Sequence, residues 1–417
     1  MHRWIATLAA ALVLESVCVG QVFNLPRDPR QVENLPHKLN DFMLHLADGR
    51  NVDGPLEELG AGWSISLSDG VRSIKASGSD WLTLRRRHLP VAPSGEQVVL
   101  NNGDRLPGTI TRLVGDDLLL RKCLGGDEDL FIPLPALSLL WIAPPGGVEN
   151  FRQTPRSLAA VRYKRDRAFL RNGDSVEGIL MGLDRDKTLR MRAGKDVLDV
   201  DFRRVSALSF SADLTRIPRP ATPYGRVVLD DGTRISLSEA SADQAFLRGR
   251  TLYGREIRIP LDHLIAITLH GGSATYLSDL APATYDFAPY LGNLRWPYTK
   301  DTNVDGGDLV LHGDAFEKGI GMHSASRLTY RLTEKYRYFE ALVGLDDDSG
   351  RGGIASVQLL IDGKPRLPAE LQIMSEEAPR FIRQDVRDAK ELTLVVGFGR
   401  YADVRSRVNW ADARLIK

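Results

Sequence analysis

The sequence predicts an all-β protein, and three observations predict it. Glycine (38) and proline (22) are plentiful, as a chain of many turns requires. Long apolar stripes with the helical 3.6-residue period are scarce, while short runs alternate polar and apolar side chains, as half-buried strands do. A pattern of strand, Asp/Asn-Gly turn and strand recurs four times before a different block begins near Tyr276.

Residues 1–20 read as a secretory signal peptide. His2 and Arg3 form a basic start, Trp4 to Leu14 an apolar run, and Cys18-Val19-Gly20 a small-residue cleavage site before Gln21. That run is too short to span a bilayer, and no other apolar run approaches membrane length, so no membrane span is expected. Val17 stands where a lipoprotein signal wants Gly or Ala, which argues against lipidation at Cys18. The expected location is secreted, periplasmic or cell-surface. Once Cys18 leaves with the leader, Cys123 has no disulfide partner. The fold must then be held by its cores or by a metal. Residues 21–40, polar and proline-containing, read as a linker.

Four repeats follow, at 41–90, 96–142, 165–211 and 225–270. Their turns are Asp48-Gly49, Asn102-Gly103, Asn172-Gly173 and Asp231-Gly232. Asp, Asn and Gly tolerate the positive φ that tight hairpin turns demand, so positive φ is expected at the central residues. A second glycine follows in the first three copies (Gly54, Gly108, Gly178) and is missing from the fourth. The tails of copies two to four also agree, as in Leu139-Leu140-Trp141-Ile142, Val205-Ser206-Ala207-Leu208 and Leu264-Ile265-Ala266-Ile267. The first copy's tail, from Trp63 to Leu84, fits less well. Linkers are expected at 143–156, 212–225 and 271–273. Five short strands with one tight hairpin resemble, in architecture only, a small Sm-like or SH3-like barrel. Such a unit is marginal alone, and stacking the copies would bury more apolar area.

The charge balance excludes some partners. There are 55 basic and 54 acidic residues, a net charge of +1. That is no bulk field for nucleic acid or for an anionic membrane. The basic clusters Arg85-Arg86-Arg87-His88 and Arg162 to Arg167 read as solvated faces.

The block 276–417 is the most informative. Glu317-Lys318-Gly319-Ile320-Gly321-Met322-His323-Ser324 makes a glycine-bordered loop, and Ser326 to Leu332 alternates as a strand. Val343-Gly344-Leu345-Asp346-Asp347-Asp348 ends a strand in three acids, and Trp410-Ala411-Asp412-Ala413-Arg414-Leu415 closes the chain. With Tyr276-Leu277-Ser278-Asp279-Leu280, these blocks resemble the NPCBM family, the carbohydrate-binding module attached to glycoside hydrolases of family 98 and to other secreted proteins. The resemblance implies a jelly-roll β-sandwich of galactose-binding-like type that holds sugar with its rim loops. Tyr290, Trp296, His323, Asp346, Asp347, Arg351 and Trp410 are the expected sugar contacts, because sugar C–H faces pack on aromatic rings while hydroxyls need polar partners. Trp296 and Trp410 serve equally well as core residues. Modules of this fold often hold a structural calcium. Asp301 and Asp305 in an oxygen-rich early loop and Asp412 on the last strand are the expected ligands for Ca2+. The early loop carries Trp296-Pro297-Tyr298 where family members have a glycine-rich run, which bears on ligand preference.

No zinc motif, nucleophile elbow or phosphate-cradling loop is present in the sequence. Asp346 to Asp348 could be imagined as glycosidase acids, but a strand-ending turn explains them more simply. The expectation is therefore a secreted, non-catalytic protein that binds a glycan or polysaccharide through its C-terminal sandwich. The repeats would serve as spacer or docking surface. The alternatives are a structural or protein-interaction component of the cell envelope and, third, a glycoside hydrolase.

Overall fold

The computed structural model describes residues 41–417 except 69, 87, 127–128, 147–153, 214–216, 219, 291–294 and 370. The expected leader and linker, 1–40, lie outside the described residues. The described chain is built almost wholly of antiparallel strands, as composition and patterning predict, with short 3-10 turns and one short helix, Pro155–Ala159.

Each repeat closes on itself. The first strand pairs with the last in all four: Leu44 opposite Leu84, Val98 opposite Leu140, Ala168 opposite Leu208, Val227 opposite Ile267. First-to-last pairing gives each repeat a small, barrel-like outline. The four hairpin turns share one construction. The Asp or Asn side chain accepts the N–H two residues on: Arg50 to Asp48 (2.9 Å), Asp104 to Asn102 (3.1 Å), Asp174 to Asn172 (3.2 Å) and Thr233 to Asp231 (2.8 Å). Only the glycine takes positive φ, at 94°, 86°, 95° and 86°. The Asp/Asn earns its place by this side-chain bond rather than by a left-handed backbone, which corrects the expectation of positive φ at both positions. In copies two to four a 3-10 turn precedes the last strand: Leu134–Ala136, Phe202–Arg204 and Leu261–His263. The first copy instead puts its 3-10 turn, Ala61–Trp63, between its second and third strands. That is why its tail fits the pattern poorly.

The barrels do not stack in chain order. The last strand of repeat two pairs with that of repeat three (Leu140 opposite Leu208), and the last strand of repeat four pairs with that of repeat one (Ile267 opposite Leu84). One continuous apolar core draws on all four, including Leu44, Leu100, Leu170 and Leu229. Burying each such side chain contributes about 1.5–3 kcal/mol, and sharing the core offsets the small size of each barrel.

The C-terminal module is a two-sheet sandwich. The first sheet runs Thr299–Lys300, Gly319–His323, Arg407–Ile416, Tyr338–Leu345, Arg380–Asp385, with Ala274–Tyr276 paired to Arg407–Ile416. The second runs Thr284–Phe287, Ser326–Arg331, Glu391–Phe398, Ile354–Ile361, Lys364–Pro365. Phe339, Tyr330, Val357, Leu394 and Trp410 fill the space between them.

The outer face of the first sheet is not solvated, because the barrels cover it. Module acids meet barrel cations along this seam. Glu317 pairs with Arg234 (2.8 Å) and Arg226 (3.5 Å), Asp308 with Arg105 (2.7 Å) and Asp314 with Arg85 (2.5 Å). Glu340 contacts His45 (3.1 Å) from the first barrel and the module's own Arg414 (3.1 Å) and Arg383. Leu89 packs with Leu309, Leu311 and Phe316, and Leu82 with Ala274 and Ile416. Arg85 and Arg86 are therefore not a solvated face. Arg86 lies over the Phe42 ring at 4.4 Å and donates to the carbonyls of Leu261 and Asp262. Arg162, Lys164 and Arg165 are exposed, as expected of the second cluster.

Candidate glycan-binding rim

Strand register gathers the candidate residues. His323 pairs with Arg407, Leu345 with Val408, Ser326 with both Phe287 and Val396, and Ala355 with Phe398. The described segments 288–290, 295–298, 324–325, 346–353 and 399–406 thus lie at one end of the sandwich. Tyr290, Trp296, His323, Asp346, Asp347 and Arg351 all belong to this rim. Trp410 does not: it is 0% exposed between the sheets and presents no face to a ligand. The period-two alternation of Arg407–Ile416 turns it inward, so the expectation of a sugar contact there is corrected.

The rim has an aromatic floor. The half-buried Trp296 indole stacks on the His323 imidazole, with ring centroids 4.8 Å apart and planes 6° from parallel. His323 Nδ1 donates to the Ser324 carbonyl (2.8 Å), which leaves Nε2 as an acceptor. Burial pushes the His323 imidazole below its usual range, so the ring is neutral near pH 7. Tyr290 meets Phe398 edge-on at 5.3 Å. Tyr290 and Tyr401 are 54% and 55% exposed, and Phe398 38%. Phe398 and Tyr401 were missed from sequence. Their signal was an aromatic pair bracketed by glycine and arginine, Gly397-Phe398-Gly399-Arg400-Tyr401, directly after a strand.

The acids are engaged by neighbouring donors and act as a brace. Asp346, 1% exposed, accepts from Asn409 Nδ2 (2.5 Å), Asn303 Nδ2 (3.1 Å), Asp348 N (3.1 Å) and Val310 N (3.3 Å). Burial pushes its carboxyl up to about 6, against the pull of these donors. Asp347 accepts the N–H groups of His312 and Gly313, both at 2.8 Å. Asn303, fully buried, ties the early loop together by accepting from Gly307 N (2.7 Å) and Asp305 N (3.1 Å). Arg351 is exposed.

The expected calcium ligands do not fit a shared ion. Asp301 accepts from Lys318 Nζ (3.0 Å) and Gly319 N (3.2 Å), and Asp305 pairs with Arg407 (2.8 Å). Asp412 lies toward the barrels, in the field of Arg414, Arg85 and His45. Among the described residues no three His, Cys, Asp or Glu side chains converge as a metal site would need. Two concavities, of about 480 Å³ beside Gly78, Pro223 and Lys417 and about 440 Å³ between Arg112 and Arg190, lie away from the rim.

The chain is similar to the CBM51 module of Clostridium perfringens GH95 in complex with methyl-galactose, with 24% identity, a TM-score of 0.31, and 34% of this chain and 99% of that one covered. It is also similar to the tandem CBM51 modules of Sp3GH98, the family 98 glycoside hydrolase of Streptococcus pneumoniae SP3-BS71, with 14% identity, a TM-score of 0.29, and 66% and 95% covered. A Renibacterium salmoninarum protein named as an endo-alpha-N-acetylgalactosaminidase is 28% identical over 112 residues, which is 27% of this chain. The match spans 7% of that relative's length. Residues 273–416 match the family profile of the NPCBM/NEW2 domain, and that segment is identified as one.

Proposed function

We propose that this chain is an exported, non-catalytic glycan-binding protein whose sandwich rim holds a carbohydrate and whose four barrels fix the orientation of that rim. The observation that carries this reading is the parallel Trp296–His323 stack set beside the exposed Tyr290–Phe398 pair at the loop end of the sandwich. Flat aromatic surfaces suit the C–H faces of sugar rings. His323 backs one face of the indole, and the opposite face is where a sugar ring would lie. The match of residues 273–416 to the NPCBM/NEW2 domain supports the same reading.

The reading as a binder rather than a hydrolase rests on Asp346 and Asp347. Both carboxylates are engaged by loop N–H groups, where a glycosidase would need them aimed at the bond being cleaved. Export rests on the leader-like residues 1–20, with an N-terminus at Gln21 expected in the mature protein.

The test is binding of the full chain to a broad glycan array, repeated with Trp296→Ala and Tyr290→Ala. The expected result is retention of at least one glycan class, lost by about tenfold or more in Trp296→Ala, at unchanged melting temperature. A blank array from folded protein overturns the reading and favours docking of an envelope protein at the same rim.

A further inference from the structure

The charges of the rim are sorted by engagement. Asp346 is buried, and the exposed Asp347 and Asp348 are bonded to the N–H groups of His312 and Gly313 and to the Asn303 amide. The arginines turn outward. Arg295, Arg351, Arg400 and Arg405 are all exposed. Among the described residues none of the four pairs with a carboxylate. Arg405 Nη1 reaches only the carbonyl of Arg351, which plants these two side chains on adjoining backbone, and Arg400 lies 5.9 Å from the Tyr401 ring centroid. Arg407 is different, because Asp305 neutralises it. Asp403, half-buried, is the remaining acid of the 399–406 loop.

The whole chain is near neutral at +1, and several exposed arginines elsewhere are paired with a nearby acid, as at Arg190–Asp199, Arg203–Asp201 and Arg387–Asp385. These four guanidinium groups make no direct ion pair among the described residues, although Glu376 accepts from Gly352 N (3.0 Å) next to Arg351, and a bound anion relieves their mutual repulsion. Guanidinium also offers a planar fork that matches carboxylate and sulfate oxygens two at a time.

We infer that the rim selects an acidic glycan, one whose sugars carry a carboxylate or a sulfate. This rests on the reading of the rim as a glycan site. The sugar ring packs on Trp296 and on the Tyr290–Phe398 pair, while Arg351, Arg400 and Arg405 take the anionic group. The shared chemistry is an oxyanion on a pyranose, and the two sources are uronates and sulfate esters.

The experiment measures binding of the full chain to two matched pairs: polygalacturonate against its methyl ester, and a sulfated galactan against agarose. The expected result is at least tenfold preference for the charged member of one pair, with the pair that responds naming the source. Arg351→Gln and Arg400→Gln each weaken that binding about fivefold, and rising salt weakens it further. Trp296→Ala, which leaves the charge unchanged, also abolishes it. Equal binding of charged and neutral members, unaffected by the arginine changes but lost in Trp296→Ala, overturns the acidic class and leaves the rim reading standing. Acidic binding that survives Trp296→Ala is mere charge attraction and overturns the inference. No binding to any polymer here or on the array overturns both.

Discussion

Glu317 and Arg234 form an ion pair of 2.8 Å across the seam between the sandwich and the fourth barrel, and the Arg234 side chain is 1% exposed. Arg226 approaches the other oxygen of the same carboxylate. Burial alone would raise the Glu317 carboxyl; Arg234, Arg105 and Arg226 hold it far below the carboxylate range instead. A residue from the glycine-bordered loop thus serves docking. Replacing Glu317 by Ala leaves buried Arg234 without its carboxylate, while Arg226 keeps Asp104 (3.2 Å), and breaking a buried pair costs about 3–5 kcal/mol. The expected outcome is a large drop in melting temperature and faster proteolysis at 271–273. Unchanged melting would show that the seam does not hold the two parts together.

Acid should loosen the same seam through Glu340. Burial works to raise its carboxyl, yet His45, Arg414 and Arg383 together hold it at about 2, below the ordinary 4.5. The folded value lies below the unfolded one, so the stabilisation is complete above pH 4.5 and disappears as pH falls toward 2. The shift corresponds to ~2–4 kcal/mol. Denaturant titrations at pH 6 and pH 3 should show this loss in the native chain and a smaller one in Glu340→Gln. Equal pH dependence in the two proteins would remove Glu340 from the account.

The acidic turn should matter for stability before it matters for ligand. Asp346→Ala removes the nearer acceptor of the Asn303 and Asn409 amides and the side-chain acceptor of the Val310 N–H, leaving Asn303 only Asp348 and Asn409 only the Val310 carbonyl. Unmet buried donors cost ~1–3 kcal/mol each. Asp347→Ala frees the His312 and Gly313 N–H groups, which lie near solvent, and should cost less. Calorimetry of both variants decides this. A loss of glycan binding with no change in melting would instead make these acids direct ligand contacts.

Chelation is expected to leave the melting midpoint of the chain unchanged, because Lys318 and Arg407 already neutralise Asp301 and Asp305. Thermal scans with millimolar calcium and with chelator check it. A calcium-dependent rise would mean that carbonyl oxygens, rather than these carboxylates, build a site.

Much of this molecule was legible in its residues, because the signals are local. Period-two alternation marks the strands, and Asp/Asn-Gly pairs mark the four hairpins through a bond spanning two residues. The glycine-bordered loop, the acidic turn and the closing Trp-Ala-Asp-Ala run marked the final domain. What tertiary structure alone decided depends on partners far away in sequence. Trp410 is core rather than rim because strand register turns it inward between the sheets. Asp301, Asp305 and Asp412 read as one ligand set, but Lys318, Arg407 and the barrel seam claim them separately. The order of the barrels, two with three and four with one, is set by which last strands find each other. The near-neutral composition conceals both the acid–arginine seam and the arginine rim, since a sum of charges carries no information about where they lie.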